Sequence, residues 1–351
     1  MRERREAEDA AAVLEQLAVS ALRGWGTELR DIRLIKMREN AVFRVVDSRG
    51  NSFALRIHRE GNHSDDALRS ELAWMAALQE AGIDVPTIVP TLDGRLFVTA
   101  HVDGLKTSRQ VDLIQWIDAR PLGTSEGGLA ASPSDIGQAY RTIGNIAARL
   151  HNQAVAWSPP PGFRRPRWDL EGLVGEQPLW GRFWDLAALT HTERSLLIHA
   201  REQVRRALLS WARSADSDRR YSLIHADLVP ENILVSAGGA VRVIDFDDCG
   251  FGYRMYDVAV ALWEYRHRDD YPEFRSAFVA GYTRHRPLTD EQMRLLDSFI
   301  AAREVAFGLW LVGMAEQRSN IRSEVPTELA FIERNLERVL PADGPARRGR
   351  R

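Results

Sequence analysis

The sequence predicts an α+β protein in two parts, a small antiparallel-sheet region followed by a larger, mainly helical one. Three observations predict it. The first hundred of the 351 residues hold short apolar runs separated by turn signals. From Leu105 onward most apolar residues recur at helical spacing. Within that helical part, a Gly238-Gly239 turn joins two short strands, Ile233–Val235 and Val241–Asp245. The length also suits two domains or one large two-lobed unit.

The elements follow in order. Val13, Leu14, Leu17, Ala18 and Leu22 share one face of a helix over Ala7–Arg23. Strands are expected at Ile32–Met37, Ala41–Asp47 and Ser52–His58, the last two joined by the hairpin signal Ser48-Arg49-Gly50-Asn51. Asp65 and Asp66 open a helix that runs to about Ala81 and closes at Gly82. Two further strands, Thr87–Thr91 and Leu96–Val102, flank the turn Asp93-Gly94. Helices are then expected over Ser134–Gln153 and Thr192–Arg213, with Gly123–Pro133 a loop and Trp157–Trp184 irregular. The domain reading is residues 1–102 for the first lobe, 103–340 for the helical lobe and 341–351 for a basic, disordered tail.

Composition removes several classes of function. Hydrophobic residues make up 44% and charged residues 27%, as in globular proteins and unlike disordered ones. A formal charge of −2 gives no electrostatic basis for nucleic-acid binding. Cys249 stands alone, which excludes an intrachain disulfide and multi-thiolate metal sites. Lys36 and Lys106 are the only lysines and neither lies in a Gly-Lys-Ser/Thr sequence, so there is no Walker loop. The N-terminus lacks an apolar signal core, and the run Val305–Ala315 is far shorter than the ~20 residues that span a bilayer. A soluble, cytoplasmic protein without membrane partners is expected.

The most informative segment runs from Leu223 to Val235 and continues to Asp248. Asp227 and Asn232 flank a short loop that enters a strand, and the hairpin returns to Asp245. Doubling back is expected to make Asn232 and Asp245 neighbours, with Asp227 across the loop. Carboxylates so close need a cation, and oxygen-only ligands suit Mg2+ completed by phosphates and water. The pattern matches the kinase template His-x-Asp-x-x-x-x-Asn followed by a metal aspartate after the next strand. In that template Asp227 takes or orients the acceptor's hydroxyl proton, while Asn232 and Asp245 hold Mg2+ on the phosphates of ATP.

With these residues in place, the chain resembles the aminoglycoside phosphotransferase/choline kinase superfamily. It looks most like the bacterial subgroup of type II homoserine kinases, hydroxylysine kinases and the stress-response kinase. The resemblance covers about Leu29 to Leu311 and implies a two-lobed, protein-kinase-like fold with ATP-dependent phosphorylation of a hydroxyl. It further implies that His225 braces the catalytic loop and that Asp257, in Tyr256-Asp-Val-Ala, ties its helix to that loop. Ala226 and Glu231 stand where the family usually has glycine.

A kinase clamp also needs a cation on the third strand and a carboxylate on the next helix. Arg56 is the cation, where many relatives use lysine, and Glu71 falls inside the apolar stripe Leu68, Leu72, Met75 and Leu78. The turn Arg38-Glu39-Asn40-Ala41 is the candidate phosphate cover, with Asn40 its polar contact, and Thr99–Val102 the candidate adenine hinge. Asp247 is a candidate for a second Mg2+ or an acceptor ammonium. Trp157, Trp168, Trp180 and Trp184 either wall the acceptor pocket or anchor their loop. The expected activity is transfer to a small amino- or hydroxy-bearing metabolite. Its rivals are a protein Ser/Thr kinase of the stress-response type and a nucleotide-binding pseudokinase.

Overall fold

A computed structural model describes residues 2–37, 40–61, 63–124, 128–129, 133–182, 184, 189–212, 220–317 and 330. The chain divides into two compact units. The first comprises Met1–Arg120, Ser158–Arg164 and Ser236–Asp247; the second comprises Pro121–Trp157, Arg165–Val235 and Asp248–Arg351.

The first unit opens with α1 (Arg2–Ala21) and β1 (Leu29–Met37), β2 (Ala41–Asp47) and β3 (Ser52–Ile57). The β2–β3 turn closes because Asp47 Oδ1 accepts the backbone N–H groups of Arg49 at 2.9 Å and Asn51 at 2.8 Å. Next comes α2 (Asp65–Glu80), whose Ser64 cap accepts the Ala67 N–H at 3.2 Å, with Asp65 and Asp66 in its first turn. β4 (Phe97–Ala100) and β5 (Arg109–Gln115) complete a sheet ordered β1-β2-β3-β5-β4, antiparallel throughout. Leu17, Ala18 and Ala21 of α1 pack on Phe43, Val45, Leu55, Ile57, Val111 and Leu113, which form the core of this unit.

Two expectations change here. The reading of the chain as helical from Leu105 misses β5, which sits between β3 and β4 and lies beyond residue 102. Val111, Asp112, Leu113 and Ile114 are all buried, and a short run buried on both faces has no period that separates strand from helix. The expected strand Thr87–Thr91 is instead an irregular segment with one bridge, Ile88 to Ile114. Pro86 and Pro90 deprive it of the donors a full ladder needs.

The second unit contains α3 (Pro133–Ala156), α4 (Leu170–Val174), α5 (His191–Ala212), α6 (Arg254–Trp263), α7 (Tyr271–Tyr282) and α8 (Asp290–Gln317). α3 and α7 meet backbone to backbone. A β-carbon at Gly144 would collide with the Phe278 carbonyl, and one at Gly281 with the Arg141 carbonyl. Tyr140 stacks on Phe274 beside them at 5.2 Å. A short strand, Tyr221–Ile224, pairs antiparallel with Gly250–Tyr253, which also runs parallel to Arg167–Trp168. That small sheet delivers the chain into residues 225–229, ahead of a 3-10 turn at Pro230–Asn232 and the strand Ile233–Val235. Every residue of α6 is buried. Among the described residues no helix is long and apolar enough to cross a membrane. The tail at 341–351 lies outside the described residues.

Candidate active site

In the first unit the chemistry gathers around Arg56 on β3. Its Nη1 donates to Glu71 Oε1 on α2 at 2.9 Å. Its Nε and Nη2 donate to the two carboxylate oxygens of Asp112, each at 2.8 Å, because β3–β5 register sets Arg56 opposite Asp112. Burial of Arg56 opposes its charge, yet Asp112, Glu71 and Asp245 outweigh burial and raise its pKa. Asp112 Oδ2 also meets His58 Nε2 at 2.7 Å. His58 Nδ1 and His63 Nε2 lie 3.7 and 3.3 Å from Asp247 Oδ1. Burial disfavours the Asp247 carboxylate, but the two imidazoles prevail and hold it well below the usual range. Asp245 has a left-handed backbone, φ +65°, which is uncommon for a residue other than glycine. Asn40 Oδ1 accepts the Arg59 N–H at 3.3 Å; its neighbours Arg38 and Glu39 lie outside the described residues.

This network predicts a pH dependence. Burial lowers the His58 pKa, but bonds to Asp112 and Asp247 dominate and raise it from 6.5 to about 9. A raised folded pKa stabilises fully below the unfolded value and is lost as pH climbs through the folded one. That rise corresponds to about 3 kcal/mol. The urea midpoint of the wild type is therefore expected to fall between pH 6.5 and 9, and His58→Gln to flatten that slope; an equal slope in the variant would contradict the network.

In the second unit the loop at 225–232 is held from several sides. Asp257, on α6, accepts the backbone N–H of His225 at 2.9 Å through Oδ2 and that of Ala226 at 2.6 Å through Oδ1. His151 of α3 contacts the same Oδ2 at 2.9 Å and is itself seated on the Tyr282 hydroxyl at 2.8 Å. Burial keeps the His151 pKa below its ordinary value, despite the pull of Asp257. His225 Nδ1 accepts the Asp227 N–H at 3.2 Å. Ala226 sits at φ +67°, and the Asp257 carboxylate binds the peptide on its N-terminal side. The outcome is a projecting Asp227. Asn232 Nδ2 donates to its Oδ2 at 2.7 Å and its carbonyl at 3.0 Å, and Arg303 Nη2 donates to its Oδ1 at 2.6 Å.

Residues 31–296 match the phosphotransferase enzyme family. The chain belongs to that family. An aminopropanol kinase associated with a microcompartment is 32% identical, with a TM-score of 0.76 over 92% of this chain and 98% of that one. Homoserine kinase of Sinorhizobium medicae is 24% identical over 74% of this chain and 71% of its own length. An amicoumacin kinase solved with AMP-PNP, Ca2+ and Ami shares the fold, with a TM-score of 0.71 at 19% identity, over 95% and 96% of the two chains. The fold is thus the two-lobed, protein-kinase-like one of the phosphotransferases. The chain is a kinase with a hydroxyl group as acceptor.

Several features of this phosphotransferase are not evident from its sequence. Asp112 and Arg303 are absent from the sequence reading because each reaches its partner across the fold, over 56 and 76 residues. Their one sequence signal is a charged residue inside an apolar run. Glu264 belongs to the same surroundings: burial, then Glu231 and later Asp227, push its pKa up to about 7 against the pull of Tyr265 and Arg303. Val102 lies in the connection between β4 and β5, so it precedes the sheet's last strand in the chain, and the first segment of the first unit runs on to Arg120. Trp168 stacks on Tyr256 at 5.5 Å and Trp180 meets Trp168 at 5.2 Å, anchoring their segment to the unit. Trp184 covers the Arg201 guanidinium at 4.2 Å. Cys249 is a buried thiol whose carbonyl accepts Arg165 Nε at 2.6 Å.

Proposed function

We propose that this kinase acts in the cytoplasm and transfers the γ-phosphoryl group of ATP to a hydroxyl of a small amino-bearing metabolite, with Mg2+. The observation that carries the reading is Asp227, projected by a braced loop with both carboxylate oxygens oriented. As the acceptor oxygen bonds to phosphorus, the bond from phosphorus to the β-γ bridging oxygen breaks and ADP leaves. The acceptor's hydroxyl proton passes to Asp227, and positioning supplies most of the acceleration. The first lobe serves as the nucleotide clamp, with Arg56 fixed by Glu71 and Asp112 and the turn at Asn40 over the phosphates. The helical part carries the acceptor site.

The residues present suit Mg2+. Asn232 uses its amide nitrogen on Asp227, which leaves the amide oxygen as the donor for a cation. In the kinase template the second ligand is the aspartate after the next strand, Asp245 in this sequence. Among the described residues no three His, Cys, Asp or Glu side chains are set to enclose a metal, so phosphate oxygens and water would complete its shell, as is usual for Mg2+. When bound, the ion neutralises charge on the phosphates.

The amine is favoured by the acidic surroundings of the loop. Burial first, then Glu231 and Asp227, raise the pKa of the partly buried Glu264 against the pull of Tyr265 and Arg303, and an added ammonium ion would favour its charged form. Aminopropanol, the substrate in the name of the 32% identical relative, is the first acceptor to try. ADP release is expected with aminopropanol or another amino alcohol in a panel with homoserine, sugars and aminoglycosides. Turnover confined to a protein substrate would replace the reading with a protein kinase, and nucleotide binding with no ADP release would replace it with a regulator.

A further inference from the structure

We infer that Arg303 is a positioning residue of the transfer reaction, holding the Asp227 carboxylate in the orientation from which it meets the acceptor hydroxyl. The inference rests on Asp227 being the base. Arg303 comes from α8, 76 residues beyond Asp227, and its Nη2 donates to Oδ1 at 2.6 Å. Asn232 addresses the other oxygen at 2.7 Å, so the carboxylate plane is set from both sides.

The guanidinium is itself fixed. It is 4% exposed and lies over two indoles, with its central carbon 5.1 Å from the Trp180 ring and 5.4 Å from the Trp263 ring. Burial opposes its charge, but Asp227, Tyr256 and Asp248 more than compensate.

A buried arginine that serves packing spends its donors. Arg201 in the same unit is such a case: Nε donates to the Val174 carbonyl at 2.8 Å, and Nη2 to the Gly175 carbonyl at 2.8 Å and to Glu176 at 2.6 Å. Arg303 departs from this pattern. Its Nη2 bond goes to the Asp227 carboxylate, and the Tyr256 hydroxyl is its other side-chain hydrogen-bond partner. The guanidinium thus spends its Nη2 bond on the oxygen whose direction governs proton acceptance, rather than on backbone carbonyls as Arg201 does. A lysine would reproduce the charge without the plane that two indoles hold.

The test compares Arg303→Met and Arg303→Lys in the full chain, reading ADP release with the fastest acceptor of the panel, or with water if none turns over. Arg303→Met is expected to lower kcat about 100-fold while KM for ATP stays within about threefold. Free guanidinium is expected to restore part of the lost kcat, and Arg303→Lys to fall between the two. A wild-type kcat in Arg303→Met, or a loss carried by KM for ATP alone, would overturn the inference. Should the Met variant fail to fold by its melting curve, Arg303→Lys decides, and a wild-type kcat there overturns it too. An inactive Asp227→Asn beside a fully active Arg303→Met would remove only the role of Arg303; wild-type turnover in Asp227→Asn would remove the base assignment beneath it.

Discussion

Asp227→Asn is expected to lower kcat by about 10²–10⁴, the usual contribution of a positioned base, while leaving Mg-ATP affinity close to that of the wild type. Single-turnover ADP formation and calorimetry on the same preparation check the two halves separately. The structure adds a second consequence of this change. Asn232 and Arg303 both donate to Asp227, one to each carboxylate oxygen. A carboxylate accepts at both, whereas an amide accepts at one oxygen and presents N–H groups at the other end. One donor must then face another donor, at a cost of about 1–3 kcal/mol. Asp227→Asn should therefore also melt lower than the wild type. Unchanged turnover in that variant would dismiss Asp227 as the base.

The largest effect on stability is expected from Asp112→Ala. Asp112 is fully buried and joins Arg56 by two hydrogen bonds and His58 by a third. Removing it leaves a buried guanidinium with one carboxylate partner, Glu71, and an imidazole without its shorter contact. Breaking a buried pair in this way costs about 3–5 kcal/mol. Denaturant unfolding of the full chain should show that loss, and a change below about 1 kcal/mol would mean that the pairing contributes little. The same geometry accounts for arginine at this place: only a planar fork can take both oxygens of Asp112 and still reach Glu71.

Much of this was legible from the sequence where local rules decide. Strand β2 follows from alternation and its turn, and α2 follows from its acidic first turn, apolar stripe and closing glycine. The contact between Asp227 and Asn232 follows from their spacing, because a short loop before a strand leaves little freedom between them. What was not legible depends on meetings over long stretches of chain. Asp112 lies in a run buried on both faces, which hides the strand and, with it, the partner of Arg56. Arg303 lies in the long apolar stretch of α8, where the charge alone does not say which turn of a distant loop it meets. The left-handed backbone of Ala226 escaped because a residue type normally disfavoured there is held in place by Asp257, a carboxylate 31 residues away.

The contact of α3 with α7 limits how this enzyme can drift over generations. Carbonyl groups stand where any side chain at Gly144 or Gly281 would have to go, so neither position can change alone without prising the pair apart along its length. His151 and Tyr282, which seat the Asp257 brace, are carried by those same two helices. Variation in substrate preference must therefore accumulate elsewhere, on loops and outward faces, while this seam stays frozen beneath the chemistry.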